Sequence, residues 1–195
     1  MRRIALLVAV MLVAPVALLA GCSTGTGAVA RGGTFEFVSP GGRTDIFYDP
    51  PAQRGTVGVL SGESLLEPGR TISLEQFRGQ VVVLNIWGSW CGPCRSEADD
   101  LQRVAEATAN DGVAVLGIDV RDSRSAAADF VRNYGITYPS IYDPPGRSLF
   151  ALGGVPRSVV PTTIVLDRHH RVAAVFLREL LTADLLPVVQ RIGRE

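Results

Sequence analysis

Apolar positions recur along the second half of the chain in two periods. Val81 to Trp87 is an apolar run rich in β-branched residues, which predicts a strand buried on both faces. Pro93 to Ala109 reads as a helix, and Val113 to Val120 as a second buried strand. Ser125 to Tyr134 predicts a helix, with Ser125 placed to cap it and Gly135 to end it. Tyr138 to Tyr142 predicts a short strand and Arg147 to Leu152 a short helix. Pro161 to Leu166 and Val172 to Leu177 read as two strands joined by a tight turn, forming an antiparallel edge. Thr182 is placed to cap a last helix, Ala183 to Ile192. Strands alternating with helices predict an α/β sheet with parallel crossovers.

Before Val81 the pattern is weaker. Thr34 to Val38 and Thr44 to Tyr48 are short strand candidates around the turn signal Pro40-Gly41-Gly42, and Pro50-Pro51 breaks the second. Thr56 to Leu60 and Leu65-Leu66 are apolar pieces between turns, Glu67-Pro68-Gly69 is a further turn, and Ser73 to Phe77 is a candidate helical turn. These segments predict an N-terminal β extension on a domain spanning 34–195.

The first residues follow a different rule. Arg2 and Arg3 precede an uncharged, mostly apolar run from Ile4 to Leu19, too short for the roughly 20 residues that span a bilayer. The small residues of Leu19-Ala20-Gly21-Cys22 complete a secretory signal layout over 1–21. The ending resembles the bacterial lipobox, which implies that Cys22 is lipidated and the protein anchored outside the cell membrane; a plain cleaved signal with an incidental Cys is the alternative. Residues 22–33, rich in Ser, Thr, Gly and Ala, suit a flexible tether.

Composition narrows the classes. Hydrophobic residues make up 47% and charged residues 19%, enough apolar material for a buried core. The charges balance at 19 basic and 19 acidic residues, so no basic field invites nucleic acid. Lys is absent, which rules out a P-loop at Gly153-Gly154. Three cysteines are too few for a disulfide-stapled scaffold.

Two of them carry the chemistry. Cys91-Gly92-Pro93-Cys94 falls where a predicted strand enters a predicted helix, the setting of a redox dithiol. Cys91 lies at the helix N-terminus, where free N–H groups and the helix dipole favour a thiolate. Cys94 is one turn further on, shielded, so Cys91 is expected to be the accessible thiol of the reduced protein. The other use of such a pair is half of a zinc site, which needs two further ligands. The two histidines, His169-His170, are adjacent in a predicted turn and far along the chain. Cys94, Glu97, Leu101, Val104 and Thr108 share one helical stripe, so Glu97 faces inward or lies at the boundary. A carboxyl so placed has a raised pKa unless paired and can exchange protons near neutral pH; a solvated helix-flank Glu is the alternative.

Trp90-Cys91-Gly92-Pro93-Cys94 resembles the active site of the thioredoxin superfamily. The surrounding Val81 to Glu97 is similar, more narrowly, to the membrane-tethered TlpA/ResA/CcmG group of extracytoplasmic thioredoxins, and the resemblance runs from about Leu74 to the C-terminus. It implies a thioredoxin-like α/β fold, a central mixed sheet flanked by helices, with Ser125 to Tyr142 matching the group's central helix-strand insertion. It implies thiol–disulfide oxidoreduction with no cofactor beyond the Cys91–Cys94 disulfide and with no metal. Cys91 would be the nucleophile and Cys94 the resolving cysteine. Trp90 would be a contact surface, Pro161 the cis-proline, and Val160 the neighbouring backbone that pairs with substrate. The group also has a Glu at the place of Glu97.

Two positions depart from the pattern. General thioredoxins carry a buried Asp where this chain has Asn85, which moves proton exchange onto Glu97. Many relatives have a helix-kinking proline where this chain has Asp99, followed by Asp100. A copper-chaperone reading would need a wider Cys spacing and a separate His. An antioxidant, peroxidase-type relative would carry its reactive Cys in a Pro- and Thr-containing loop. The leading expectation is a reductase of apocytochrome c, itself re-reduced by a membrane electron donor of the CcdA/DsbD type. The alternatives are a disulfide-forming oxidase for secreted proteins and a tethered binding or chaperone module without redox turnover.

Overall fold

The computed structural model describes residues 33–195, which form one eight-stranded sheet and three α-helices. The strands are β1 (Asp45–Phe47), β2 (Ser61–Ser64), β3 (Thr71–Ser73), β4 (Val81–Trp87), β5 (Val113–Asp119), β6 (Ser140–Tyr142), β7 (Thr162–Leu166) and β8 (Val172–Phe176). The helices are α1 (Gly92–Ala107), α2 (Arg124–Asn133) and α3 (Thr182–Gly193). The sheet order is β1-β8-β7-β4-β5-β6-β2-β3. Strands β4, β5 and β6 are mutually parallel, and the other pairings are antiparallel. This mixed sheet with its helices is the expected thioredoxin-like α/β arrangement. The expected signal over 1–21, Cys22 and the tether through residue 32 lie outside the described residues.

Strand β4 is buried along its whole length because it has a strand on each side and packing on both faces. Val82, Leu84 and Ile86 point to a core shared with Phe35, Tyr48, Leu149 and Leu152. Val81 and Val83 point the other way, to Leu101 of α1 and to Leu185, Val189 and Ile192 of α3. Trp87, on that same side, joins Ala127, Phe130 and Val131 of α2 around the dithiol. Period-2 alternation thus divides the apolar residues of this strand between the two faces of the sheet, and Asn85, its one polar residue, takes the face of Val81, Val83 and Trp87.

The structure corrects several boundaries. Thr34 to Val38 is not a strand: it makes one isolated bridge, Thr34 to Thr56. Its backbone is wedged between two glycines with no room for a side chain. A Cβ on Gly55 would lie 2.5 Å from Phe35 N, and one on Gly153 would lie 2.2 Å from Phe35 O. The extension therefore divides, with β1 on one edge of the sheet and the β2–β3 hairpin on the other. Strand β8 is consequently not an edge, since β1 covers it. Ser123, not Ser125, caps α2, accepting from Ala126 N at 3.2 Å. Leu181 holds the N-cap position of α3, where Asp184 Oδ2 accepts from Leu181 N at 3.1 Å. Thr182 instead donates its hydroxyl to Asp100 Oδ1 at 2.7 Å, tying α3 to α1. Helix α1 runs unbroken through Asp99.

Candidate active site

Strand β4 ends at Trp87, and a tight link delivers the chain to α1. Cys91 N donates to Gly88 O at 3.0 Å, and Ser89 N donates to Asp122 Oδ2 at 2.6 Å. This puts Cys91 at the N-cap, where its Sγ accepts from Cys94 N at 3.1 Å. Pro93 fits the first turn, where its missing N–H has no intrahelical partner to lose. Cys91 and Cys94 are joined as a disulfide, with Cα atoms 5.3 Å apart. Both are 2% exposed in this state. The expected contrast between an open Cys91 and a shielded Cys94 is thus absent from the disulfide, in which both belong to one buried cluster with Leu65, Trp87 and Phe130, against which Val160 packs.

Glu97 faces inward, as its helical stripe predicts, and is 2% exposed. Its Oε1 accepts from Asn85 Nδ2 at 2.9 Å and its Oε2 from Leu180 N at 3.0 Å. Burial raises its pKa to about 7, against these two hydrogen bonds, which favour the carboxylate; the charges of Glu179 and Asp100 add to the rise. Asn85 also donates to Thr163 Oγ1 at 3.2 Å, so it fixes Glu97 to the neighbouring strand β7. Cys94 and Glu97 lie three residues apart on the buried face of one helix, which makes their side chains neighbours.

The second wall comes from the chain entering β7. The Val160–Pro161 peptide is cis, and Val160 O lies 3.6 Å from Cys91 Sγ. Trp90 stands at the rim, 46% exposed. Its Nε1 donates to Val120 O at 3.1 Å, and the Arg121 guanidinium lies 4.6 Å from the ring centroid. The structure therefore brings Cys91, Cys94, Glu97, Trp90, Val160 and Pro161 together. His169 and His170 lie on the β7–β8 turn, where His170 Nε2 is 3.1 Å from Phe77 O. Among the described residues, no three His, Cys, Asp or Glu side chains form a ligating array.

One buried acid escapes a reading of the sequence. Asp119 ends β5 beside Trp87 and is fully buried. Neither carboxyl oxygen has a hydrogen-bond partner; Trp87 Nε1 and Ser140 Oγ are also unpartnered. The last two converge over Gly117, where an added Cβ would lie 2.7 Å from Trp87 Nε1 and 2.2 Å from Ser140 Oγ. Burial first, and then Asp122 and Asp143, push the Asp119 pKa to about 8, with Arg124 opposing. An Asp closing an otherwise apolar strand was the available signal.

Residues 62–175 match the AhpC/TSA family. A secreted thiol-disulfide isomerase from Corynebacterium glutamicum has a similar crystal structure. It is 55% identical, with a TM-score of 0.80, over 84% of this chain and 100% of that one. The thiol:disulfide interchange protein DsbE of Allochromatium vinosum is 32% identical over 65% of this chain and 70% of its own length. The thiol-disulfide oxidoreductase ResA of Bacillus thuringiensis is 30% identical over 53% of this chain and 58% of its own length.

Proposed function

The chain belongs to the AhpC/TSA family and is a thiol–disulfide oxidoreductase of the DsbE/ResA type, and from that premise we propose that it reduces disulfides of extracytoplasmic proteins, apocytochrome c foremost. The observation that carries this reading is the buried pair Cys94 and Glu97 behind an N-cap Cys91. In the reduced protein the Cys91 thiolate attacks the substrate disulfide. A bond forms between Cys91 Sγ and one substrate sulfur, the substrate S–S bond breaks, and the departing thiolate takes up a proton. Glu97, with a pKa near neutrality, accepts the Cys94 proton, and the Cys94 thiolate attacks Cys91 Sγ. The second substrate sulfur leaves as a thiol and the Cys91–Cys94 disulfide remains. Two electrons have passed to the substrate, and a membrane donor of the CcdA/DsbD type returns them.

Support for apocytochrome c comes from the likeness of Val81 to Glu97 to the TlpA/ResA/CcmG group. Support for an extracytoplasmic site comes from the signal layout and from the similar structure described as secreted. Cys22 would carry the lipid, and Cys22→Ser would then release the protein from membrane fractions; unchanged retention of the processed variant would reject the anchor. A second reading, formation or shuffling of disulfides in secreted proteins, is favoured by the 55% identity to a thiol-disulfide isomerase.

Cys94→Ala tests both, since it leaves the mixed disulfide on Cys91 unresolved. Under non-reducing isolation from cells, a reductase for cytochrome maturation traps a protein with a C-x-x-C-H motif. Deletion then lowers covalently bound haem, and added thiol restores it. Traps on diverse secreted proteins with normal cytochromes would favour the second reading, and an empty Cys91 would reject redox turnover.

A further inference from the structure

Next to Trp90 the surface opens into a groove of about 420 Å³, lined by Val120, Arg121, Pro145, Leu149, Arg157 and Ser158 among others. Two of its lining residues lead back towards the dithiol along the chain or through a contact. Arg121 lies over Trp90, the residue before Cys91, and Ser158 is two residues before Val160, whose carbonyl oxygen is 3.6 Å from Cys91 Sγ.

The groove's two arginines are not ion-paired, unlike several others among the described residues. Arg54, Arg124, Arg171 and Arg178 each hold a carboxylate. Among the described residues Arg121 and Arg157 have no carboxylate partner. Each lies on an aromatic ring instead: Arg121 at 4.6 Å from the Trp90 centroid, Arg157 at 4.3 Å from that of Phe150, itself 70% exposed. Stacking orients a guanidinium while leaving its N–H edge free for a bidentate acceptor. The acid nearest in sequence is already engaged, because Asp122 accepts from Ser89 N at 2.6 Å and Ser123 N at 2.8 Å. Arg121 also adopts the left-handed backbone region, φ +54°, which a residue with a side chain rarely occupies and which is met disproportionately at binding sites. Its N–H donates to Pro144 O at 3.0 Å, which holds that conformation.

We infer that this groove receives the polypeptide flanking the substrate's disulfide, and that Arg121 and Arg157 select substrates bearing carboxylates there. The inference rests on the oxidoreductase reading and adds the charge class of the substrate. Val120, Pro145 and Leu149 supply the apolar lining along which such a segment lies.

The test uses the reduced protein and three synthetic peptides, each closed by one disulfide. They are identical except for two residues flanking a cysteine, which are Glu, Gln or Arg. Two electrons pass from Cys91 and Cys94 to the peptide disulfide, and acid quenching with mass spectrometry times the appearance of peptide thiols. The Glu peptide is expected to react about tenfold faster than the Gln peptide at low ionic strength, and the Arg peptide slowest. The differences shrink at 1 M salt, where screening reaches about 3 Å. Arg157→Glu and, separately, Arg121→Glu are expected to reverse the order of the Glu and Arg peptides. Equal rates for all three peptides with the parent protein would overturn the inference and leave the oxidoreductase reading standing. Failure to reduce any of them would overturn that reading and this inference together.

Discussion

Asn85 and Glu97 are joined inside the protein, the Asn85 amide donating to Glu97 Oε1 at 2.9 Å. Asn85, at the position where the thioredoxin resemblance implies a buried Asp, is therefore a hydrogen-bond partner of the buried carboxyl three residues after Cys94. Asn85 cannot titrate, so the pair presents a single proton site near neutrality.

Glu97→Gln is expected to fold and to slow disulfide exchange by about a hundredfold or more, the scale of a lost proton-transfer group. The rise of rate with pH around 7 should disappear with it. The folded-state pKa of Glu97 is raised, so its contribution to stability is full below the unfolded value of 4.5 and is lost as pH rises through about 7. The variant should therefore gain thermal stability relative to the parent at pH 8 and not at pH 4. Stopped-flow pH profiles and melting curves check both, and an unchanged pH profile would leave Glu97 a purely structural residue.

Asn85→Asp places a second carboxyl in contact with Glu97. Two carboxyls at this distance share one proton, which drives the second ionisation well above 7. Exchange should then show two macroscopic steps, and the reduced protein should lose stability as pH rises above neutrality. Carboxyl titration by NMR measures the steps directly.

Asp119→Asn removes a buried acid without partners. The raised folded-state pKa of Asp119 means that its contribution is full below the unfolded value of 3.8 and lost as pH rises through about 8. The Asn variant is expected to be more stable than the parent at pH 9, where the parent must hold a buried carboxylate and the amide stays neutral, with the gain shrinking towards pH 4. Urea unfolding across that range measures it; equal midpoints at pH 9 would show that Asp119 is satisfied in solution.

Reduction is expected to make Cys91 the first thiol alkylated, although both sulfurs are equally buried in the disulfide. Cys91 lies at the N-cap, where its sulfur accepts the Cys94 N–H and a thiolate is favoured, and its successors Gly92 and Pro93 are exposed. Brief alkylation followed by peptide mass spectrometry reads the order. Preferential labelling of Cys94 would reverse the two roles.

Features that depend on neighbours along the chain are legible in the order of residues alone. The run Val81–Trp87, apolar but for Asn85, marks a strand covered on both faces, and the dithiol spacing across a strand-to-helix junction marks an N-cap thiol. The i, i+3 step from Cys94 to Glu97 already turns the carboxyl inward. Tertiary structure alone decided what comes from far along the chain. Leu180 N reaches Glu97 from 83 residues away, and Val160 arrives beside Cys91 from 69 away. Strand order, the division of the N-terminal extension between two edges, and the isolation of Asp119 also belong to this second class. Local periodicity states which face a side chain takes; only the assembled sheet states which partner, if any, waits there.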